Sequence, residues 1–488
     1  MVSLKQVTQV TVSSAWSQYD ISKWAVGRGS VPNPSYPVFF FDYQTSAIAV
    51  GYVVGTTGYS LYNQGDCNYL TTPAIFLQVV GLPYVIGGGG ECGPQNGCMG
   101  NGTDVCGPWW FIYNTTNNTV TITCTLIPSN GITDHFQGIG LDLINQYLLM
   151  SFITPNAKCL VFIVIPISCL STLVSGTYPT KASWVMAGTP SPSPNLYANS
   201  FTIYGGYIYQ PGASSANTNN NICLWVIPLS CIYSKMSNTS LPSSASPITM
   251  GTVITVYNGS TGGIGLIAFS FAKVTASGLS FYIAVGGDTK NGCLIYGVVN
   301  PSNNTVCFTC KVPGLYTNFT SKGAFNGVFI VPGYNNGTVY VTAVDPKSKS
   351  VCTTTTSGYF VMASAEGYVV VANQSLTNST VTFTVYQVLL SATYTFQNAT
   401  ITVSGSTVTG SGTLIDENNG SAVGGATVYL VGVKSLGDMY SNDVDIIASG
   451  TTNSAGQFSI SGTYNSQYKW YGLLYVPGQA TGQGVPAV

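Results

Sequence analysis

The sequence predicts an all-β protein: a β-propeller of seven blades, with six as the competing count, followed by a small β-sandwich. Three observations lead there. Only 6% of the 488 residues are charged while 45% are hydrophobic, so core material is ample without the Ala, Glu, Lys and Leu that helical bundles use. The 56 Gly and 24 Pro punctuate the chain with tight turns. Finally, β-branched and aromatic runs recur as hairpins, four strands to a unit, at the tens-of-residues period of propeller blades. A two-sheet sandwich built from the same hairpins is the alternative architecture.

Residues 1–37 form an N-terminal strand and lead-in. Val7-Thr8-Gln9-Val10-Thr11-Val12 reads as a strand with no partner nearby in sequence. Such an edge must pair, either within the chain to close the ring or with a neighbouring subunit. Residues 38–392 carry the blades, near 38–72, 73–127, 138–176, 199–256, 263–313, 321–356 and 357–392. Trp109-Trp110-Phe111-Ile112-Tyr113 returns as Thr119-Val120-Thr121-Ile122-Thr123, and Cys293-Leu294-Ile295-Tyr296 returns as Val306-Cys307-Phe308. Shorter copies close at Pro166 and Pro228. The first blade is the faintest, and the seventh runs out after Val381-Thr382-Phe383-Thr384-Val385. A Thr/Ser/Gly alternation over 393–411 reads as a linker, and 412–488 as a separate module.

That module carries GTLIDENNGSAVGGATVYLVG (Gly412 to Gly432) and ASGTTNSAGQFSISG (Ala448 to Gly462). Gly425-Ala426-Thr427-Val428, then Thr452, Gly456 and Phe458, resemble the carboxypeptidase-regulatory-like (Ig-like) β-sandwich, with an insertion at Val433 to Asp445. The resemblance implies a spacer, stalk or assembly module without chemistry of its own. The whole chain loosely resembles β-propeller spike and filament proteins on the surface of archaeal virions. It is similar in its uncharged Thr/Asn/Tyr texture and trailing sandwich.

Thirteen cysteines, with no spacing typical of zinc, point to disulfides and an oxidising exterior. The spacings suggest Cys106–Cys124, Cys159–Cys169, Cys223–Cys231, Cys293–Cys310 and Cys92–Cys98, leaving Cys67, Cys307 and Cys352 unassigned. Sequons recur, among them Asn398 and Asn419, and the turn sites Asn114, Asn117, Asn303 and Asn336 are the candidate glycan carriers. The N-terminus shows no apolar export segment. The most apolar run, Cys159 to Val174, is interrupted by Pro166 and falls short of the ~20 residues of a membrane span.

Chemistry is poorly supplied. With 14 basic and 15 acidic side chains and one His, the chain lacks the basic surface of a nucleic-acid binder. The lone Arg28 cannot form an arginine cluster. Asp134-His135 is the only acid beside an imidazole, and neighbours on a strand face opposite ways. Gly87-Gly88-Gly89-Gly90 lacks the Lys-Ser/Thr of a phosphate loop, and Asp443-Val444-Asp445 is the nearest approach to a calcium loop. No catalytic residue, cofactor or metal is expected. Binding is better served: 32 Tyr and 7 Trp among Asn, Gln, Ser and Thr suit sugars and close protein interfaces. The expected function is a non-enzymatic structural and attachment protein on a virion surface. It would partner with itself and other virion proteins, and with a host surface glycan or protein. An archaeal adhesin, surface-layer or pilus-like subunit is the alternative, and a carbohydrate-active enzyme the third reading.

Overall fold

The computed structural model describes residues 1–13, 25–28, 38–42, 48–54, 57–64, 75–78, 84–91, 107–114, 119–123, 136–142, 145–154, 159–170, 172, 181–190, 201–213, 221–238, 245–259, 264–275, 278–288, 293–314, 324–358, 360–363, 367–375, 380–433, 444–468, 470–475 and 485–486. Strand dominates, and among these residues no helix is long and apolar enough to cross a membrane.

The protein is a β-propeller. Residues 25–389 form seven consecutive antiparallel sheets among the described residues, spanning 25–64, 75–123, 136–188, 202–258, 264–313, 324–357 and 360–389. Neighbours within each sheet follow chain order. The third sheet also takes up the short strand Ile248–Thr249, parallel to Ser183–Gly188. The last sheet supplies only Phe360–Ala363, Tyr368–Ser375 and Thr380–Leu389, and its fourth strand is the N-terminal Ser3–Ser13. That strand runs antiparallel to Thr380–Leu389 from Ser3 opposite Leu389 to Ser13 opposite Thr380, with a bulge between Gln6 and Thr8. The two ends of the ring are thereby sewn into one sheet, which removes a free edge.

Two strands lie across the expected boundaries. Ala25–Arg28 already pairs with Val38–Asp42 as the first strand of the first sheet, so that sheet starts well before residue 38. Four residues containing Gly27 and Arg28 are too short and too polar to show a strand period. The expected linker 393–411 holds Tyr394–Ser404 and the first half of Thr407–Asp416, paired as a hairpin.

Successive sheets stack face to face. Leu149 and Phe162 pack with Ile208 and Trp225 of the next sheet, Tyr209 and Leu224 with Ile283 and Ile295, and Leu294 and Val298 with Phe329 and Val344. The contact between the sixth and seventh sheets joins Ile330 and Val341 to Val369, Val388 and Val2. A sheet covered on both faces needs apolar residues at consecutive positions, so the third strands are unbroken runs. Asn221–Pro228 is buried from Ile222 to Ile227, and Cys293–Asn300 behaves alike. Burying each such side chain stabilises the fold by about 1.5–3 kcal/mol. Close approach between sheets needs glycine: a Cβ on Gly138 or Gly140 would come within 2.3 or 2.5 Å of the Phe201 ring.

Beyond Leu389 lies a two-sheet sandwich. One sheet holds Tyr394–Ser404, Thr407–Asp416, Ser421–Ala422 and Gln457–Thr463; the other holds Thr427–Val433, Val444–Thr451, Trp470–Tyr475 and Val485–Pro486. Val408, Leu414, Phe458 and Ile460 meet Val428, Leu430, Tyr471 and Leu473 between them. The residues of the Gly-Ala motif are structural. The Thr452 hydroxyl donates to the Val423 carbonyl at 2.6 Å and accepts from the Ala426 N–H at 2.9 Å. Gly456, at φ 73°, sits where a Cβ would be 2.5 Å from the Leu414 carbonyl oxygen.

Ring and sandwich are joined by four residues, 390–393, held on both sides. The Thr393 N–H donates to Asp416 Oδ1 at 3.1 Å, the Glu417 N–H to the Thr393 carbonyl at 2.6 Å, and Asn418 Nδ2 to the Leu390 carbonyl at 2.6 Å. The amine of Met1 reaches Ser391 Oγ at 2.8 Å, so the closing strand also touches the joint.

Candidate functional site

The carboxylates with described side chains are largely engaged in local structure. Asp142, only 4% exposed, accepts from the Tyr233 hydroxyl at 2.5 Å and from Asn145 Nδ2 at 2.7 Å. Burial, reinforced by that carboxylate, drives the Tyr233 phenol far above its ordinary range. The pair pins the helical turn Leu229–Tyr233 to the preceding sheet. Asp345 caps its own turn through the Lys347 and Ser348 N–H groups, and Asp416 holds the joint. Asp445 accepts from the Tyr468 hydroxyl at 2.9 Å. Among the described residues no group of three His, Cys, Asp or Glu side chains could hold a metal. Asp134, His135 and Asp443 lie outside the described residues.

Three of the expected cysteine pairings fall on described residues, and the strand geometry sets their partners apart. Among the described residues no disulfide joins Cys159 to Cys169, Cys223 to Cys231 or Cys293 to Cys310. Cys159–Pro166 is one extended strand, and Cys169 lies in the 3-10 turn beyond it. At ~3.3 Å per residue, the two cysteines stand at opposite ends of a strand, far beyond the ~7 Å that a disulfide tolerates. Cys223 and Cys231 are separated the same way by strand Asn221–Pro228 and the turn after it. Pro166 and Pro228 end strands rather than turn hairpins. Cys293 stands opposite Pro313, and Cys310 opposite Tyr296. The two thiols are three positions out of register and project from opposite faces of the sheet. Cys67, Cys92, Cys98, Cys106 and Cys124 lie outside the described residues.

Two glycan candidates fall on exposed turns. Asn303 sits between Cys293–Asn300 and Thr305–Pro313, and its Oδ1 accepts from the Thr305 hydroxyl at 2.7 Å. Asn336, at φ 46° before Gly337 at φ 77°, turns the hairpin of Val328–Asn335 and Thr338–Val344. Asn419 repeats the Asn303 geometry, accepting from the Ser421 hydroxyl at 2.5 Å. Asn114 ends strand Gly107–Asn114, with its side chain outside the described part, as is Asn117.

An open concave feature lies on the sandwich. Fully buried Tyr471 donates its hydroxyl to the Asn465 carbonyl at 2.9 Å and accepts from the Asn465 N–H at 2.8 Å. This fixes the turn that follows Gln457–Thr463. Tyr464 and Tyr468 flank that ring, with centroids 5.9 and 5.8 Å away. Tyr468 lies over Gly432, where a Cβ would come within 2.6 Å of the ring. Burial and then the Asp445 carboxylate hold its phenol up to about 12. Ile447, Thr463, Tyr464, Asn465, Ser466 and Tyr468 line an open cleft of about 430 Å³. None of those six side chains is charged. Sequence reasoning credited the aromatics only collectively and did not single out Tyr464, Tyr468 and Tyr471. Their clustering around one polar turn was the available signal.

No protein-family model matches the sequence, nor does any curated protein. Among solved structures the chain is similar to the Dos1 propeller, at TM-score 0.39 and 8% identity over 79% of this chain and 95% of that one. A protein of unknown function from Dyadobacter fermentans gives TM-score 0.39 and 8% identity, over 79% and 99% of the two chains. The WD40 domain of SCAP from fission yeast gives 0.35 and 6%, over 79% and 95%. These likenesses are too distant to inform function.

Proposed function

We propose that this chain is a non-enzymatic structural and attachment protein on the surface of an archaeal virion, a spike or filament subunit whose propeller has seven blades. The observation that carries this reading is the uncharged outer edge of the ring. The outermost strands Thr57–Gln64, Thr119–Thr123, Thr252–Asn258 and Val351–Ser357 contain no Lys, Arg, Asp or Glu. Thr305–Pro313 has only Lys311, and Ser3–Ser13 only Lys5. Soluble monomers guard such edges with charge, lysine above all, because free N–H and C=O groups recruit further chains. Here Val351, Thr353, Thr355 and Ser357 alternate outward as a hydroxyl-rich ridge, suited to dry contact with a neighbouring subunit. Glycans on Asn303 and Asn336 would restore solubility on the faces left open.

The resemblance of the C-terminal motifs to carboxypeptidase-regulatory-like sandwiches supports a stalk or assembly role for that module. A carbohydrate-active enzyme is the weaker reading, because Asp142, Asp345, Asp416 and Asp445 are all committed to local hydrogen bonds and offer no acid–base pair. Immunogold labelling of intact particles and of producing cells tests the proposal, alongside the sedimentation of a Thr353→Lys/Thr355→Lys variant. Label on the particle exterior and a variant that no longer assembles are expected. Label confined to the cell envelope would favour the adhesin alternative. A wild-type chain that stays monomeric at every concentration would overturn the assembly argument.

A further inference from the structure

We infer that the tyrosine cleft of the sandwich is a binding site for a neutral saccharide. Three properties of the cleft carry the inference. Its walls combine the rings of Tyr464 and Tyr468 with the side chains of Thr463, Asn465 and Ser466, so flat apolar surface stands beside hydrogen-bonding groups. A pyranose presents that same pairing, C–H faces bordered by hydroxyls. The volume of about 430 Å³ lies within the usual span of small-ligand sites, ~300–1,000 Å³, and its openness suits the end of a longer chain.

The charge pattern narrows the ligand class. Among the described residues the Asp445 carboxylate accepts from the Tyr468 hydroxyl, and the lining side chains are neutral. The cleft therefore presents, among the described residues, no cation for a sialic acid, a phosphate or a sulfated sugar. Nor does it have a free anion for an amine.

The site is also preorganised, which lowers the ordering cost of binding. Tyr471 fixes the turn backbone through both polar groups of Asn465. Gly432 lets the Tyr468 ring lie directly on the sheet, where Asp445 holds its far end.

This inference deepens the attachment reading by naming its ligand class and site. The test uses the full chain on an array of neutral gluco-, manno- and N-acetylglucosamine oligosaccharides, followed by saturation-transfer NMR with the strongest binder. Ser466→Trp fills the cleft from an exposed position, and Tyr464→Ala removes one wall. At least tenfold weaker binding is expected in both variants, while the melting temperature of Ser466→Trp stays unchanged. Thr353→Lys, on the ring, should bind like the parent chain. Binding to no neutral oligosaccharide on the array would overturn the inference, as would binding that survives both cleft variants. Particle labelling is read separately, so a virion protein with an empty cleft and a saccharide binder found elsewhere are distinguishable outcomes.

Discussion

Strand Asn221–Pro228 of the ring and strand Gln457–Thr463 of the sandwich bury their residues by different rules. The first hides six consecutive residues, Ile222 to Ile227. The second hides Phe458 and Ile460 while Gln457, Ser459 and Ser461 face outward. The difference records the number of covered faces. A propeller sheet has a neighbour on each side, so both pleats must be apolar. A sandwich sheet has one partner and one solvated face. It follows that the ring is stable only as a closed stack, whereas the sandwich completes its core within 394–475.

Breaking the ring should therefore have the largest effect. Removing residues 1–13 deletes the fourth strand of the last sheet and takes Val2 out of the core it shares with Val388. The expected loss exceeds the ~4–5 kcal/mol that marks the extreme for single substitutions, with sandwich amides still protected in hydrogen exchange. A truncated chain whose ring amides remain as protected as the sandwich would refute closure by this strand.

A single core substitution should separate the two units next. Trp225 is fully buried and donates its Nε1 proton to the Met250 carbonyl at 2.9 Å. Trp225→Ala should cost about 3–5 kcal/mol, while Ile460→Ala in the sandwich costs about 2–5 kcal/mol. Two unfolding transitions followed by hydrogen exchange should shift one at a time. Equal shifts of both transitions in either variant would show one cooperative unit.

The joint measures how far the units are coupled. Asp416→Ala leaves the N–H of fully buried Thr393 without its acceptor, a cost of about 1–3 kcal/mol. Small-angle scattering should then show a broader distribution of shapes at unchanged secondary structure. An unaltered scattering profile would mean that Glu417 and Asn418 hold the joint alone.

The same contrast explains what could be read from the sequence. Hairpins such as Trp109 to Thr123 announced themselves because hydrophobicity and turn residues coincide there, so the four-stranded repeat was legible. The strand Tyr394–Ser404 reads as linker in the sequence because only part of one face is buried and a bulge between Gln397 and Thr400 breaks its period. Register was the hidden variable for the thiols. Counting residues from the turn placed Cys293 beside Cys310, but the ladder sets them three positions apart, and one odd step changes the face. The tyrosine cleft was illegible for a related reason: Gly432 and Asp445 come from strands that only the fold brings to Tyr468.

The smallest expected effect concerns the thiols and involves no loss of stability. Cys159 and Cys223 are buried, whereas Cys169, Cys231, Cys293, Cys307, Cys310 and Cys352 are partly exposed. Iodoacetamide labelling of the native chain, read by peptide mass spectrometry, should modify the second group and spare the first. Burial raises the Cys310 thiol from its ordinary 9.0 to about 11, because the low-dielectric surroundings disfavour the thiolate. The thiolate is the reacting form, so a raised pKa means slower alkylation at a given pH. At pH 8 Cys310 should react roughly a hundredfold more slowly than in the unfolded chain, judged by thiolate fraction alone. Its rate should climb about tenfold per pH unit until pH approaches 11. Recovering Cys293–Cys310 as a bridged pair would require the two strands to slip by an odd number of residues. That slip would turn Val312 of the outer strand away from Phe329 and Val344, so a ring that stayed folded with this bridge would contradict the register itself.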